Sequence, residues 1–482
     1  MSTAFITQEI PSDLDKQTLE ITRVFTLQQA NQLCLRKTDA TTRRRKLQSV
    51  KYWMLAHQRD IHEALYQDFK KSAVEVDATE IYSTKKEIEF ALKHLDSWMK
   101  PKKVATPLAL LGTRSQVMYE PKGVSLIIAP WNYPFYLVVS PLVSAIAAGC
   151  TAMVKPSEMT PNTAHLLHRM LSELFPENEV AVFEGNSQVA ETLLKLPFNH
   201  IFFTGSQAIG KVVMKAAAEH LTSVTLELGG KSPAIIDETA NLKDAAEKLV
   251  WGKWLNAGQT CVAPDYLLVQ HSVQQALLTA IKQTIQKYHG SDVATSPAYA
   301  RIVNSHHHQR LLHLIKSAVM KGAKVVTGGQ SSEEQLYLAP TILTEVTDEM
   351  EVMQQEIFGP ILPMMPFGKL EEAIQYVNKR AKPLAIYFFS QQQEHAKQVL
   401  ESTSSGGFCI NDCVIHLANP HLPFGGTNTS GLGSSHGHYG FLAFSHEKAV
   451  MRQRVGFTSA KVLYPPYTDR VKKMMELTMK WL

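Results

Sequence analysis

Cys261 has the clearest potential for covalent chemistry in this sequence. It lies in the segment Asn256-Ala-Gly-Gln-Thr-Cys-Val-Ala-Pro-Asp-Tyr266. A cysteine attacks an electrophile as its thiolate, and an ordinary thiol, with a pKa of about 8.5, is only slightly ionised at neutral pH. The small and amide neighbours and the following proline turn leave the sulfur reachable and supply hydrogen-bond donors. A buried structural cysteine is the commoner fate of a free thiol, so this segment alone leaves both interpretations open.

Two further residues have side chains that would support a nucleophile. Glu227 ends an apolar run and precedes a Gly-Gly step. If it is partly buried, desolvation raises its pKa towards neutrality and suits it to act as a general base; otherwise it is a strand-end glutamate in water. Asn132, in Pro130-Trp-Asn-Tyr-Pro134, offers an amide N–H that would stabilise an oxyanion, although asparagine also simply forms turns.

Two loops have the composition of nucleotide-binding segments. The loop Phe203-Thr-Gly-Ser-Gln-Ala-Ile-Gly210 links a predicted strand to a predicted helix, and free amides at a helix start attract phosphate. It differs from the G-x-G-x-x-G fingerprint, so a plain tight turn is an equal alternative. Lys155 and Glu158, in Lys155-Pro-Ser-Glu158, suit the two hydroxyls of a ribose. An exposed ion pair would have the same sequence.

The pattern of apolar runs predicts a parallel sheet that would position these residues. Residues 24–100 read as two or three amphipathic helices, with breaks near 38–42 and 74–77. Short apolar strands then alternate with helices, which is typical of a sheet covered on both faces. The predicted strands are 124–129, 151–154, 180–183, 200–203 and 224–228. Ligands bind beyond the carboxyl ends of such strands, and the candidate loops follow them.

A second α/β region is predicted from about residue 232 onward. It contains Cys261, a histidine-rich helix at 303–320, a strand at 324–326 and the loop Glu356-Ile-Phe-Gly-Pro360. The carboxyl-terminal residues 468–482 form a basic, partly apolar helix that is too short and too charged to span a membrane. We expect it to dock on the protein body; contact with a membrane surface is the less favoured alternative.

Length and composition limit the classes of protein. A chain of 482 residues exceeds one hydrophobic core and predicts two or three domains. A hydrophobic content of 45% and a charged content of 19% describe an ordinary globular protein. The basic run Arg43-Arg44-Arg45-Lys46 lies in a predicted helix with no interleaved aromatic residues. We therefore interpret it as a solvated helix face and expect no nucleic-acid partner.

The cysteines and histidines predict neither disulfides nor a metal site. Cys34, Cys150, Cys261, Cys409 and Cys413 are odd in number and scattered, as in proteins of a reducing compartment. Three consecutive histidines, 306–308, point in different directions on a helix and cannot bind one ion together. The first ten residues lack the basic and apolar regions of a secretory signal. We expect a cytoplasmic protein.

Seven motifs together resemble those of the aldehyde dehydrogenase superfamily, in the family's order, between about residues 24 and 455. They are Pro130-Trp-Asn-Tyr-Pro134, Lys155-Pro-Ser-Glu158, Phe203-Thr-Gly-Ser206, Leu226-Glu-Leu-Gly-Gly-Lys-Ser-Pro233, Gly258-Gln-Thr-Cys261, Glu356-Ile-Phe-Gly-Pro360 and Pro423-Phe-Gly-Gly426. The segment around Cys261 and the late Phe441-Leu-Ala-Phe-Ser-His446 are most similar to the class 3 branch, which includes fatty and coniferyl aldehyde dehydrogenases.

The resemblance implies an α/β fold of two doubly wound parallel-sheet domains and a small oligomerisation β-flap. Its implied parts are a NAD(P)-binding domain at 1–98 and 119–229, a catalytic domain at 230–440, an oligomerisation segment at 99–118 and 441–458, and a tail helix at 459–482. It further implies a homodimer that oxidises an aldehyde, of medium or long aliphatic chain or aromatic, to the carboxylic acid.

The resemblance also implies the roles of individual residues. Cys261 would form a thiohemiacetal and then a thioester, Asn132 and the Cys261 N–H would hold the oxyanion, and Glu227 would activate the hydrolytic water. The cofactor would be bound by Trp131, Lys155, Glu158, Gly205, Ser206, Gly210, Leu228, Glu356 and Phe358. Glu158 favours NAD, because its carboxylate would repel the extra phosphate of NADP, but NADP remains possible.

One departure and two alternatives accompany the resemblance. Thr427-Asn428-Thr429 replaces the Val-Gly-Asn that usually follows Pro-Phe-Gly-Gly; Asn428 tolerates a left-handed backbone, so we expect the loop to keep its path. An acylating enzyme that passes the thioester to coenzyme A would not need Glu227. A catalytically silent relative would not need Cys261, Glu227 and Asn132 together.

Overall fold

The computed structural model describes residues 13–107 and 110–481. The segment on which the absence of a secretory signal was predicted, residues 1–10, lies outside the described residues. Within them no helix is long and apolar enough to cross a membrane. Nor does the described part contain a group of three or more histidine, cysteine or acidic side chains placed to hold a metal ion.

The amino-terminal fifth is helical, as the sequence predicts, but it contains five α-helices rather than two or three. The helices are α1 (Asp13–Arg36), α2 (Ala40–Ala56), α3 (Gln58–Phe69), α4 (Ala73–Val76) and α5 (Tyr82–Met99), with one π-helical turn, Asp77–Ile81, before α5. The break predicted at 38–42 begins at Lys37 and ends at Asp39, which caps α2. The break predicted at 74–77 is wrong: it lies at 70–72, because Lys70 adopts a left-handed conformation and the Ser72 side chain caps α4.

The first large sheet carries the predicted parallel strands. They are β3 (Val124–Ile128), β4 (Thr151–Lys155), β5 (Val180–Val182), β6 (His200–Gly205) and β7 (Ser223–Leu228), in the spatial order β7-β6-β3-β4-β5. A late two-residue strand, β17 (Gly431–Leu432), adds to the edge antiparallel to β7 and aligns Gly431 with Glu227. No local pattern in the sequence predicts this strand, which joins the late part of the chain to the carboxyl end of β7.

Helices cover both faces of this sheet. One face packs α2, α3, α5 and two further helices, α6 (Tyr136–Ala148) and α7 (Pro161–Leu174). The other face packs α1, α8 (Ser187–Leu194) and α9 (Gln207–Ala218). The two layers leave strands such as β4 buried along their whole length, which explains why these strands read as nearly continuous hydrophobic runs rather than alternating ones.

The basic run on α2 is not a solvated face throughout, which corrects our interpretation. Arg43 is buried and donates from Nη1 to the carbonyls of Ala147 and Ala148, at 2.9 and 2.7 Å. It thereby satisfies the free carbonyls at the end of α6. Lys46 pairs with Glu179 at 2.5 Å. Periodicity did not reveal this, because the partners of these side chains are more than 100 residues away.

The second large sheet has seven strands and forms the core of the carboxyl-terminal half. The strands, in spatial order, are β10 (Lys324–Thr327), β13 (Thr341–Thr344), β14 (Ile361–Phe367), β9 (Tyr266–Gln270), β8 (Pro233–Ile236), β15 (Ala385–Phe389) and β16 (Gly407–Ile410). All neighbours are parallel except β10 and β13. The accompanying helices are α10 (Leu242–Trp254), α11 (Gln274–His289), α12 (Ser305–Met320), α13 (Glu351–Gln354), α14 (Leu370–Asn378) and α15 (Gln393–Ser402).

Three smaller elements complete the described chain. An antiparallel flap contains β1 (Lys102–Val104), β2 (Arg114–Pro121) and β18 (Ser445–Arg452). A short pair, β11 (Ser331–Ser332) and β12 (Tyr337–Leu338), flanks the second sheet, and α16 (Gly437–Ala443) precedes β18. The two parallel-sheet layers and the flap confirm the predicted fold class.

The predicted tail helix is present as α17 (Asp469–Trp481). Val471, Met474 and Met475 are partly buried on it. Leu477 and Met479 are 59% and 74% exposed. The expectation that this helix docks through its apolar side chains is therefore wrong for these two residues, which project into solvent.

Candidate active site

A cleft between the two sheets collects most of the predicted site residues. It encloses about 1080 Å³ of empty space including its open mouth, and its lining is mostly apolar. The loops that line it follow the carboxyl ends of β3, β6 and β7 and include the segment around Cys261 and the loop after α13. Its lining includes Trp131, Asn132, Gly205, Ser206, Glu227, Leu228, Cys261, Glu356 and Phe358, together with His307, Arg310, Phe424, Ser435 and His436.

Cys261 lies directly after a strained turn. Asn256 and Ala257 both have φ of 52°, and Gly258 follows at 77°, conformations that cost free energy in non-glycine residues and cluster at functional sites. The Gln259 side chain fixes the turn by donating to the Asn256 and Arg301 carbonyls, both at 3.0 Å. The turn therefore presents the sulfur to the cleft from a fixed backbone.

The Cys261 thiol is protonated in this environment. Burial, followed by the nearby charges of Glu356 and Glu227, raises its pKa to about 12, although the backbone N–H groups of Cys261 and Val262 favour the thiolate. A thiol in this state is a poor nucleophile. A positive charge bound in the cleft would favour the thiolate and lower the pKa of Cys261.

Asn132 lies in the turn between β3 and α6 and is buried. Its side-chain amide donates one hydrogen bond to the Gln259 carbonyl at 3.0 Å. An asparagine amide has two N–H groups, so the second remains available to a ligand oxygen. This contact ties the predicted oxyanion donor to the turn that carries Cys261.

Glu227 is the acidic residue near the carboxyl end of β7, and it is buried at the point where β17 pairs with that strand. One carboxyl oxygen, Oε1, accepts a hydrogen bond from the Ser435 hydroxyl at 2.8 Å. The other, Oε2, is buried without a partner among the described residues. Burial raises the pKa of Glu227 to about 8, and the Ser435 hydrogen bond opposes this increase. A carboxyl group with a pKa this close to neutrality suits general-base catalysis.

The loop that carries Glu356 is held by three charged side chains. Arg310 Nη2 donates to the Ile357 carbonyl at 2.7 Å, and the Ile357 N–H donates to Asp265 at 2.9 Å. Lys231 forms an ion pair with Asp265 and donates to the Val352 and Gln355 carbonyls, at 2.8 and 3.0 Å. The Glu356 carboxyl is thereby fixed inside the cleft.

Burial also sets the state of Glu356. Its pKa is raised to about 8 by burial and then by Asp265, while the Gly230 N–H, Lys231 and Arg310 oppose the increase. A Cβ atom at Gly229 would lie 2.1 Å from a Glu356 oxygen. A larger residue at this position would displace the Glu356 carboxyl, which gives the Gly-Gly step after Glu227 a role in the position of that carboxyl.

Aromatic rings form one wall of the cleft. Trp131 contacts Phe358 with ring centroids 5.2 Å apart and His307 at 5.1 Å. Phe358 has φ of 48°, so the loop holds this ring in a strained backbone conformation. Burial and then Arg310 lower the pKa of His307 to about 4. His307 is therefore neutral at pH 7 and belongs, with Trp131 and Phe358, to an uncharged aromatic wall of the cleft.

The junction of β6 and α9 has the geometry of a phosphate site. Ser206 caps α9, its hydroxyl accepting from the Ile209 N–H at 3.4 Å. The amides of the first helical turn face a cleft with no competing carboxylate on this loop. Gly205 has no room for a side chain, because a Cβ atom would lie 2.5 Å from the Phe203 ring.

Gly210, Lys155 and Glu158 lie outside the lining of the cleft. A Cβ atom at Gly210 would lie 2.7 Å from Leu228, so this glycine allows α9 to pack closely against β7. Lys155 ends β4 and donates to the Pro156 carbonyl at 2.8 Å and to Glu158 at 3.0 Å. The Lys155 side chain is buried, whereas Glu158 is 44% exposed.

Several residues that line the cleft were not predicted from the sequence. His307 and Arg310 share one face of α12 through their spacing of three residues, a signal that was available. Ser435 and His436 had no local signal, because Ser435 is 208 residues from its partner Glu227. Asn428 adopts φ of 56°, as predicted for the altered loop before β17.

Comparisons with known proteins agree with this geometry. Residues 14–450 match the model of the aldehyde dehydrogenase family. The chain is 48% identical over 434 residues to 4,4'-diaponeurosporen-aldehyde dehydrogenase of Staphylococcus aureus, covering 90% of this chain and 94% of that protein. It is 42% identical over 457 residues to a probable coniferyl aldehyde dehydrogenase of Pseudomonas aeruginosa, covering 95% of each. These relatives confirm the predicted branch.

Solved structures share the fold. The substrate-bound state of Staphylococcus aureus AldH matches with a TM-score of 0.92 and 46% identity, covering 95% of this chain and 99% of that one. The NAD+ complex of a Mycobacterium tuberculosis aldehyde dehydrogenase matches with a TM-score of 0.83 and 26% identity, covering 92% and 91%. The motifs, the cleft and these matches lead to one conclusion: the chain belongs to the aldehyde dehydrogenase family.

Proposed function

We propose that Cys261, Glu227 and Asn132 carry out the oxidation of an aldehyde to its carboxylic acid in this cleft. The protein is an NAD(P)-linked oxidoreductase of its family. The observation that carries the assignment of residues is their convergence: a thiol, a carboxyl group with a raised pKa and an amide donor line one cleft from three separate segments of the chain. This is the set that nucleophilic acyl transfer requires.

The residues of the cleft fit a nicotinamide dinucleotide. Ser206 and the first amides of α9 would hold the pyrophosphate, with Gly205 allowing close approach. Glu356 would accept from the nicotinamide ribose, with Phe358, Trp131 and Leu228 packing around it. Lys155 and Glu158 would hold the adenosine ribose, and Gly210 would set the position of α9. When bound, the cofactor supplies a hydride acceptor and a cationic ring.

The protein side of the reaction follows from these positions. Cys261 Sγ would give up its proton to water and attack the aldehyde carbon, and the carbonyl oxygen, which gains negative charge, would accept from the Asn132 amide and the Cys261 backbone N–H. Each such donor contributes about 3–4 kcal/mol to the transition state. Loss of hydride from the same carbon to the bound cofactor would leave a thioester on Cys261. Glu227 would then take a proton from a water molecule, whose oxygen attacks the thioester carbon; the C–S bond breaks, and the acid and the Cys261 thiolate are released.

A second cavity supports substrate entry on the side of His436. It adjoins the cleft at His436, whose Nε2 lies 3.0 Å from the Tyr136 hydroxyl. Its lining is largely apolar and includes Val74, Ala78, Tyr82, Leu417, Ala418 and Pro420. Such a lining favours medium or long aliphatic and aromatic aldehydes. The compounds named in the relatives, a diaponeurosporen aldehyde and coniferyl aldehyde, belong to the same broad chemical range.

The remaining assignments follow the same reasoning. We propose that residues 1–98 and 119–229 bind the cofactor, that 230–440 form the catalytic domain, that the flap at 99–118 and 441–458 mediates a homodimer, and that 459–482 is a separate tail. The edge strands β1 and β18 of the flap support the dimer, because a free edge favours pairing with another chain. Five free thiols support a reducing, cytoplasmic location.

The test is activity with a panel of aldehydes and both cofactors. We expect NAD or NADP reduction that increases with substrate chain length, and its loss in Cys261→Ala. A Cys413→Ala variant, which removes a buried thiol outside the cleft, is the matched control and should stay active. Equal rates in Cys261→Ala and the parent would refute the assignment of the nucleophile. Acid formation independent of coenzyme A separates this reaction from the acylating alternative.

A further inference from the structure

We infer that the buried ion pair Lys71–Glu80 positions the oxyanion donor Asn132. This inference rests on the proposed role of Asn132. Both side chains are fully buried, with 0% exposure, and Lys71 Nζ lies 3.0 Å from Glu80 Oε1. Neither residue lines the catalytic cleft. They contact the turn between β3 and α6 through the Asn132 carbonyl and the Tyr136 N–H.

The pair contacts both ends of the turn that carries Asn132. Lys71 Nζ donates to the Asn132 carbonyl at 3.3 Å. The second oxygen of Glu80 accepts from the Tyr136 N–H, the first of α6, at 2.8 Å. One ion pair thus fixes the first and last residues of a five-residue segment, so movement at either end would break a buried charge-assisted hydrogen bond.

The surroundings of the pair hold it in one place. Lys71 lies in the break between α3 and α4, and its ammonium group lies 4.9 Å from the Phe69 ring centroid and 4.2 Å from that of Tyr133. Glu80 lies in the single π-helical turn Asp77–Ile81, a feature that is frequent at functional sites. Cation–π contacts in a desolvated site add to the fixed position of the ammonium group.

A second hydrogen bond, from another segment of the chain, holds the same carbonyl. Asn256 Nδ2 donates to the Asn132 carbonyl at 2.7 Å, and the Asn256 N–H donates to Glu75 at 2.9 Å. The Asn132 peptide therefore lies between the amino-terminal helices and the turn before Cys261. The free N–H of its side chain is aimed by this backbone, and an error of about 1 Å in such a donor costs about 100-fold in rate.

Burying an ion pair rarely stabilises a fold, since well-packed apolar residues of similar volume are often as stable. The contacts of this pair are therefore better explained by a role in positioning Asn132 than by a contribution to the stability of the fold.

Lys71→Met keeps the volume of the side chain and removes the ammonium group. We expect it to lower kcat/KM for a short probe aldehyde such as hexanal by about 10- to 100-fold, while the Kd of NAD, measured by fluorescence titration, stays within about twofold.

The decisive measurement is a double-mutant cycle. If Lys71 acts through Asn132, Lys71→Met should change kcat/KM by less than about threefold in an Asn132→Ala background. Arg43→Met is the matched control, because Arg43, on α2, is a buried cation that donates to the carbonyls at the other end of α6. It should lower the melting temperature as much as Lys71→Met or more and leave kcat/KM unchanged.

Each outcome decides the inference. An equal loss from Lys71→Met in both backgrounds, or a loss matched by Arg43→Met, means a general structural role and overturns it. If Lys71→Met does not fold, Glu80→Gln, which keeps an acceptor for the Tyr136 N–H, takes its place in the cycle under the same criteria. If Asn132→Ala itself has full activity, the proposed function fails first, and the inference falls with it.

Discussion

Two ends of the proposed cofactor site use the same residue type in different environments, one inside the cleft and one outside its lining. At the catalytic end, defined by Cys261, Glu227 and Glu356, burial raises the pKa of both glutamates to about 8. At the ribose end, defined by Lys155 and Glu158, the glutamate is 44% exposed and paired with a lysine at 3.0 Å. All three glutamates lie near the carboxyl ends of parallel strands or the adjoining loops, so burial and partners, rather than position in the fold, determine their chemistry.

The two ends also differ in how the chain builds them. The ribose end comes from one loop of four residues after β4. The catalytic end brings together segments near residues 132, 227, 261, 356 and 435. A site assembled from distant segments buries its carboxyl groups, and this burial is what raises the pKa values of Glu227 and Glu356.

The largest expected effect comes from replacing the glutamate of the catalytic end. Glu227→Gln removes the group that takes a proton from water, so we expect hydrolysis of the thioester to slow by about 1000-fold. Acyl-enzyme should accumulate and add the acyl mass to the intact protein in mass spectrometry. Glu158→Gln, the same substitution at the ribose end, is the control and should accumulate none.

Undiminished release of the acid by Glu227→Gln would contradict the assignment of the proton-accepting role to the catalytic end. It would mean that another group, Glu356 being the other buried carboxyl in the cleft, activates water. Accumulation in both variants would mean that cofactor exchange, rather than proton transfer, limits the release of acid.

The sequence predicted the ribose end more completely than the catalytic end. Lys155 and Glu158 are neighbours in the chain, and so are the Gly205, Ser206 and Gly210 positions, so their motifs describe their geometry. The strands β3 to β7 were also predicted to within one or two residues. The proposed catalytic residues Cys261, Glu227 and Asn132 were predicted from the sequence, but the residues that contact them, such as Ser435 and Gln259, were not.

The missing information is long-range pairing. Strand β17 is too short to predict and joins β7 in an antiparallel orientation, and it is followed by Ser435, which reaches Glu227. Lys71 reads as one of two adjacent lysines at a helix end, a position usually exposed, yet it is buried against Glu80. Periodicity identifies buried faces, but it cannot name the partner of a buried charge.

A smaller effect tests the burial of Glu227 through the pH dependence of the reaction. Because the pKa of Glu227 is about 8, its base form increases as pH rises to 8, and the hydrolytic step should become faster over that range. The Ser435 hydrogen bond lowers this pKa. Ser435→Ala should therefore move the ascending limb of the kcat profile to higher pH, by up to about one pH unit.

Ser435→Thr keeps the hydroxyl and is the matched control for this shift. It should leave the limb in place even if the added methyl group lowers kcat. A profile that is unchanged in Ser435→Ala would mean that Glu227 titrates independently of Ser435. A shift to lower pH would contradict the sign of the hydrogen bond, because loss of a donor to the carboxylate can only raise the pKa of Glu227.

The smallest expected effect lies at the ribose end. Glu158→Gln removes one half-exposed negative charge from beside the proposed adenosine ribose, so the ratio of kcat/KM for NAD to that for NADP should fall. At about 4 Å in water-like surroundings, one pair of charges is worth about 1 kcal/mol, so the ratio should change by about fivefold. The change should shrink as salt is raised from about 0.05 to about 0.5 M, because exposed charges are screened.

The pH dependence of kcat should not change in Glu158→Gln, since Glu158 lies outside the cleft that holds the reacting atoms. A change in that profile would show that the two ends are coupled, and the cofactor that joins them would then be the path of that coupling.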